Sequence, residues 1–144
     1  MSKNIGNTIY DRSINYYETD QMGIVHHSNY IRYFEEARLD MMEQVGLSYA
    51  AMEEHGLIIP VLSVACEYIK PVLFGEKVQI HTRLVKFDGI KMQFVYEICE
   101  GELRTKGESR HCFLDKEMKP VRMKRQFPEI YQRMKELVIT ATDK

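Results

Sequence analysis

The second half of the sequence alternates polar and apolar residues around two tight turns. Apart from Thr82, apolar residues occupy every second position of the alternating segment from Lys77 to Val85, and they do so again from Met92 to Ile98. This is the period of a strand with one buried face. Asp88-Gly89 separates these segments, and Glu100-Gly101 separates the second from an apolar segment at 103–114. Asp-Gly between alternating segments favours a two-residue hairpin. Strands joined in this way are antiparallel, so the sequence predicts an antiparallel sheet.

The first half adds one long helix and two further strands. Apolar residues recur at steps of three and four from Ile31 to about Val45, which predicts a helix that ends at Gly46. Thr8 to Tyr17 is predicted as a strand, and Ser48 to His55 as a short helix. The segment from Leu57 to Ile69 is apolar on both faces at its start, which indicates a central strand covered on both sides.

The order of these elements predicts an α+β domain. A five-stranded antiparallel sheet wraps around the one long helix, and short accessory helices include one that begins near Pro128. The 144 residues fit one domain, 1–144, of which polar residues 1–7 are predicted to be disordered.

Composition restricts the class of protein. The net charge is -1, with Lys and Arg spread along the chain, so no nucleic-acid groove is indicated. No apolar run approaches the ~18 residues of a membrane span, and the N-terminus lacks the apolar core of a signal peptide. Cys66, Cys99 and Cys112 are far apart in sequence, which predicts buried thiols rather than a zinc site or disulfide framework. A cytoplasmic location is the resulting expectation.

The loop before the long helix holds the candidate reactive residues. It contains Asp20, Gly23 at the expected turn, the pair His26-His27, and Ser28 or Asn29 as a helix cap. A helix N-terminus presents unpaired N–H groups and a partial positive charge. An acid beside such an end can attack a carbonyl, or activate water against it, while the N–H groups polarise the carbonyl oxygen.

These residues resemble the hotdog-fold acyl-CoA thioesterases, in particular the 4-hydroxybenzoyl-CoA thioesterase-like group that includes the Tol–Pal-associated acyl-CoA thioesterase. The matching positions are Tyr17, Thr19, Asp20, Gly23, Val25, His27, Tyr30, Phe34, Glu35, Ala37 and Arg38. A looser match follows at Val64, Tyr68, Pro71 and Pro120. The resemblance covers nearly the whole chain.

The resemblance implies a thioesterase that hydrolyses an acyl-CoA thioester to a carboxylic acid and coenzyme A, without a metal or other cofactor. Asp20 matches the catalytic carboxylate, and His27 matches the residue whose backbone N–H faces the thioester carbonyl. The implied substrate-binding positions are Gly23, Val25, His26, Tyr30, Ser63 and Val64. Subunits of this family pair into dimers, often tetramers, with each site between two chains. A carrier-protein thioester is the other candidate substrate.

Several alternatives stay open at this point. Glu35 is a second candidate for the catalytic carboxylate, and His26-His27 is a candidate metal pair that lacks further ligands at helical spacing. A hotdog dehydratase or hydratase and a non-catalytic acyl-CoA-binding module are the competing functions. The candidate cations for the coenzyme A phosphates are Arg83, Lys86, Lys91, Arg122, Lys124 and Arg125.

Overall fold

A computed structural model describes the backbone of residues 7–142 and the side chains as far as Val138. The strands are β1 (Asn7–Ser13), β2 (Val61–Tyr68), β3 (Lys77–Phe87), β4 (Lys91–Glu100) and β5 (Glu102–Cys112). The helices are α1 (Asn29–Gln44), α2 (Tyr49–Glu54), α3 (Met123–Gln126) and α4 (Pro128–Thr142), and Tyr16–Glu18 forms a 3-10 turn. No helix in the described part of the chain is long and apolar enough to cross a membrane.

The five strands form one antiparallel sheet in the order β1-β3-β4-β5-β2. Both predicted hairpins are confirmed, and Gly89 and Gly101 adopt the positive φ values of 94° and 71° that favour glycine in such turns. Helix α1 packs across one face of this sheet, where the Phe34 ring stacks on Tyr96 with centroids 4.5 Å apart. The predicted hotdog arrangement is therefore confirmed.

The buried face of α1 differs in part from the prediction. Phe34, Ala37, Arg38 and Met41 are buried as expected, but Ile31 is 45% exposed. The helix begins at Asn29, so Tyr30 and Tyr33 take the inward positions of the first two turns. Tyrosine rings supply the apolar surface there, which a pattern based on aliphatic residues overlooks.

The prediction that the 57–69 segment is a central, doubly covered strand is wrong. Strand β2 lies at the edge of the sheet, where it pairs only with β5. Most of its residues are exposed, including Val61, Leu62 and Val64. An apolar edge strand of this kind exposes both apolar side chains and unpaired backbone groups, so it is a surface that another chain is suited to cover.

Two smaller expectations also need correction. Strand β1 begins at Asn7, which pairs with Arg83, and it ends at Ser13, so Tyr16 and Tyr17 are exposed rather than part of a strand. The prediction of disorder for residues 1–6 lies outside the described residues. The thiols of Cys66 and Cys99 are half-buried, and only Cys112 is buried as predicted.

A buried polar chain crosses the core between α1 and the sheet. The Arg38 guanidinium donates to the hydroxyls of Tyr49 and Tyr96, each at 3.1 Å. Tyr96 is hydrogen-bonded to Ser109 at 2.5 Å, and Ser109 to His111 Nε2 at 2.7 Å. Burial, together with the charge of Arg38, lowers the pKa of His111 from 6.5 to about 4. The imidazole is therefore neutral in the folded protein at neutral pH.

This depressed pKa predicts a loss of stability in mild acid. In the unfolded chain His111 binds a proton below about pH 6.5, whereas in the folded chain it binds one only below about pH 4. Between pH 7 and pH 4.5 the free energy of unfolding should fall by about 2 to 3 kcal/mol from this residue alone. Urea unfolding at the two pH values measures the fall. In a His111→Gln variant the fall should be smaller by that amount, whereas an equal fall in both proteins would contradict the assignment.

Candidate active site

A closed loop between the 3-10 turn and α1 holds Asp20. The Asp20 N–H donates to Ile24 O at 2.9 Å, and Gly23 N–H donates to Asp20 O at 3.0 Å. His26 N–H donates to Glu18 O at 2.9 Å and closes the base of the loop. Gly23 has a φ of 76°, which confirms the predicted turn there.

An ion-pair cluster fixes Glu18, the last residue of the 3-10 turn, directly before this loop. The buried Glu18 carboxylate accepts two hydrogen bonds from Arg12, at 2.6 and 2.8 Å, and one from the Asn15 N–H at 2.9 Å. Arg12 also binds Glu36 on α1. Burial acts to raise the pKa of Glu18, but Arg12 and the Asn15 N–H outweigh it and hold this pKa below its usual value. The cluster thus ties β1, the loop and α1 together through charged hydrogen bonds.

The Asp20 side chain is half-buried, and one of its two oxygens is occupied. Oδ1 accepts the Met22 N–H at 2.8 Å, which is a bond within the turn. Within residues 7–142, Oδ2 makes no hydrogen bond or ion pair. One oxygen therefore holds the loop geometry, and the other is available to a substrate or a water molecule.

His27 lies two residues before α1. Its carbonyl accepts the Tyr30 N–H at 3.4 Å, and across the described chain no acceptor is found for the His27 N–H. The side chain of Ser28, the residue before the first helical position, makes no capping hydrogen bond. The next three N–H groups, at 28–30, already donate to acceptors on His26 and His27. Among residues 27–30, the His27 N–H is therefore the one left for a carbonyl oxygen. The His26 and His27 rings are exposed and stacked, with centroids 4.2 Å apart.

One cleft of about 340 Å³ brings Asp20 and His27 together. The predicted residues Val25 and Tyr30 line the same cleft, and both are buried. The predicted residues Gly23 and His26 do not line the cleft, although Gly23 forms the turn of the loop. The cleft is lined by Asp20, Ile24, Val25, His27, Tyr30, Tyr68, Ile69, Lys70 and Pro71.

The remaining predicted site residues lie elsewhere in the single chain. Ser63 is five residues before Tyr68 on β2, which corresponds to about 16 Å along a strand. Ser63 lines a separate pocket of about 770 Å³ with Lys86, Lys91 and Arg110, and Val64 lies next to it on β2. The Glu35 side chain is 62% exposed and does not line the Asp20 cleft.

Tyr68 and Lys70 also line the cleft, although neither is among the predicted site residues. Tyr68 and Pro71 are part of the looser family match, so the motif contained a signal for this wall. Lys70 is the cation that the structure brings to the cleft, and its ammonium group pairs with Glu102 at 2.6 Å. The predicted phosphate-binding cations do not line the cleft; they are Arg83, Lys86, Lys91, Arg122, Lys124 and Arg125.

Among residues 7–142, no group of three or more His, Cys, Asp or Glu residues is arranged to hold a metal ion.

Comparison with known proteins shows the family of this chain. The model of the thioesterase-like superfamily matches residues 14–136. The chain is 38% identical to the YneP protein of Bacillus subtilis (strain 168) over 119 residues, which cover 81% of this chain and 86% of YneP. It is 28% identical over 88 residues to the acyl-CoA thioester hydrolase YbgC of Escherichia coli O157:H7, which covers 60% of this chain and 66% of YbgC.

Solved structures show the same fold over almost the full length. The DHNA-CoA thioesterase from Staphylococcus aureus superposes with a TM-score of 0.89 at 34% sequence identity, covering 95% of this chain and 94% of that protein. The region that matches the family model, 14–136, includes the Asp20 loop, α1 and strands β2 to β5, and it begins directly after β1. The chain therefore belongs to the thioesterase-like superfamily.

Proposed function

We propose that this protein hydrolyses acyl-CoA thioesters to a carboxylic acid and coenzyme A at the Asp20 cleft. The observation that carries the proposal is the meeting, in one cleft, of the Asp20 carboxylate and the start of α1 at His27. The relatives named as acyl-CoA and DHNA-CoA thioesterases support the same reaction class.

Thioester hydrolysis requires attack on the carbonyl carbon and stabilisation of the oxyanion that forms. The free Asp20 oxygen either attacks directly, giving a mixed anhydride that water then hydrolyses, or takes a proton from an attacking water. In both routes the carbon–sulfur bond breaks, and the thiolate leaves and is protonated. The His27 N–H, with the α1 dipole behind it, is the proposed donor to the oxyanion.

A second copy of the chain is the proposed partner. Pairing two β2 edges in antiparallel register would continue the sheet and cover the exposed apolar residues of β2. Such pairing reverses the strand direction, so Ser63 and Val64 of one chain would approach the Tyr68 end of the other. This arrangement reconciles their predicted substrate role with their distance from Asp20. Tetramer formation and a cytoplasmic location stay predictions.

The test is release of free thiol from a substrate panel. We expect the purified protein to hydrolyse at least one of the short-chain, long-chain and aromatic acyl-CoA thioesters or the matching acyl-carrier-protein thioesters. The aromatic members include DHNA-CoA, because a structural relative acts on it. Tight binding of an acyl-CoA without thiol release would replace the proposal with an acyl-CoA-binding module. Hydration of an unsaturated thioester that leaves the thioester intact would indicate a hydratase.

A further inference from the structure

Tyr68 connects the edge strand β2 to the start of α1. It is the last residue of β2 and pairs with the buried Thr105 of β5. Its hydroxyl donates to the His27 carbonyl at 3.2 Å. Its ring meets the Tyr30 ring edge-on, with centroids 5.0 Å apart. The Tyr68 side chain thus contacts both His27, two residues before α1, and the buried Tyr30 in the first turn of α1.

This hydrogen bond holds the residue whose N–H is the proposed donor to the oxyanion. Among the described residues, Tyr68 provides the one hydrogen bond from β2 to the 18–28 segment. The other bond to the His27 carbonyl, from the Tyr30 N–H, is long at 3.4 Å. The His27 carbonyl shares a rigid peptide plane with the Ser28 N–H, whereas the His27 N–H lies in the preceding plane, whose His26 carbonyl accepts the Asn29 N–H at 2.9 Å. Because the carbonyls on both sides of the His27 Cα are held in this way, the φ and ψ angles that set the direction of the His27 N–H are restricted.

The Tyr68 hydroxyl is suited to a permanent donor role. Burial raises its pKa to about 12, with a further contribution from Cys66 on the same face of β2. The hydroxyl therefore keeps its proton throughout the neutral range. The edge-on contact with Tyr30 fixes the ring, so the hydroxyl is held in place at little further entropic cost.

We propose that Tyr68 is a positioning residue that orients the backbone of His27 for the thioester carbonyl. It takes no part in proton transfer or bond formation. The assignment rests on the proposed function, because its kinetic consequence requires that the His27 N–H contacts the substrate.

The test replaces Tyr68 with phenylalanine, which keeps the ring against Tyr30 and removes the hydroxyl. We expect kcat for the best acyl-CoA to fall roughly 2- to 10-fold, the effect of one hydrogen bond, with KM unchanged. Tyr17→Phe is the matched control, because Tyr17 is exposed and its hydroxyl, among the described residues, bonds to the Asn15 side chain alone. This control should keep the wild-type kcat.

A spectroscopic readout separates this proposal from the proposed function. In amide NMR spectra, Tyr68→Phe should shift the His27 and Ser28 resonances, whereas Tyr17→Phe should leave them in place. An unchanged kcat, or a rise in KM at constant kcat, would overturn the positioning role. Inactive wild-type protein would refute the thioesterase proposal instead, and unshifted His27 and Ser28 resonances in Tyr68→Phe would then overturn the structural assignment as well.

Discussion

Replacing Asp20 with asparagine is expected to lower kcat for acyl-CoA hydrolysis by roughly 100- to 10,000-fold. The asparagine oxygen can still accept the Met22 N–H, so the turn that Oδ1 stabilises should survive the change. What is lost is the negative charge and basicity of the free oxygen, which either route of attack requires. Steady-state thiol release gives kcat and KM, and the loss should fall on kcat rather than KM.

Glu35→Gln is the matched control for Asp20→Asn. The exchange is the same conversion of an acid to its amide, but Glu35 is exposed on α1 and lies outside the Asp20 cleft. Its kcat should equal that of the wild type, and both variants should keep the wild-type oligomeric state on a sizing column. If the Asp20→Asn protein were active and the Glu35→Gln protein inactive, the catalytic carboxylate would be Glu35 on α1, and the assignment of Asp20 would be wrong.

Replacing Gly107 with alanine should strongly destabilise the fold. Gly107 lies on β5 opposite the Phe34 ring, and an added Cβ would stand 2.3 Å from Phe34 Cε2 and Cζ. The Phe34 ring is fully buried and stacked on Tyr96, so it cannot move aside without disturbing α1. Overpacking of this kind costs about 1–3 kcal/mol, and we expect the upper end of that range. Urea unfolding of the two proteins measures the difference.

A double substitution checks that this cost is steric. Phe34→Leu removes the ring edge that the new Cβ would strike, although by itself it leaves a cavity and destabilises the core. In the Gly107→Ala/Phe34→Leu protein the total loss should be clearly smaller than the sum of the two single losses. Additive losses would mean that the glycine is required for another reason, such as backbone conformation.

The local features of the fold follow from the sequence. The Asp88-Gly89 turn and the alternation on either side of it are properties of adjacent residues, and the structure confirms both. The place of β2 in the sheet depends instead on which distant strand it meets. An apolar segment is suited either to burial within one chain or to pairing between two, so its sequence alone did not distinguish a central strand from an edge.

In the candidate site, too, the residues of one short motif could be predicted from the sequence, whereas the residues from a distant segment could not. Asp20 and His27 lie in one short motif, and the structure brings both to one cleft. The opposite wall, with Tyr68 and Lys70, comes from the end of β2 and the residues directly after it, about forty residues further along the chain. Its position depends on the pairing of β2 with β5, which no local pattern specifies. The link between Arg12 and Glu18 likewise depends on how β1 and the turn fold against α1.

The most direct test of the central claim is a crystal structure of the Asp20→Asn protein with an intact acyl-CoA. Because this variant should bind the thioester without hydrolysing it, the reacting group can be located directly. We predict that the thioester carbonyl oxygen lies about 2.7–3.2 Å from the His27 backbone nitrogen, with its carbon facing the substituted side chain. A thioester bound away from this cleft, for example in the pocket lined by Lys86 and Arg110 of the same chain, would contradict the account.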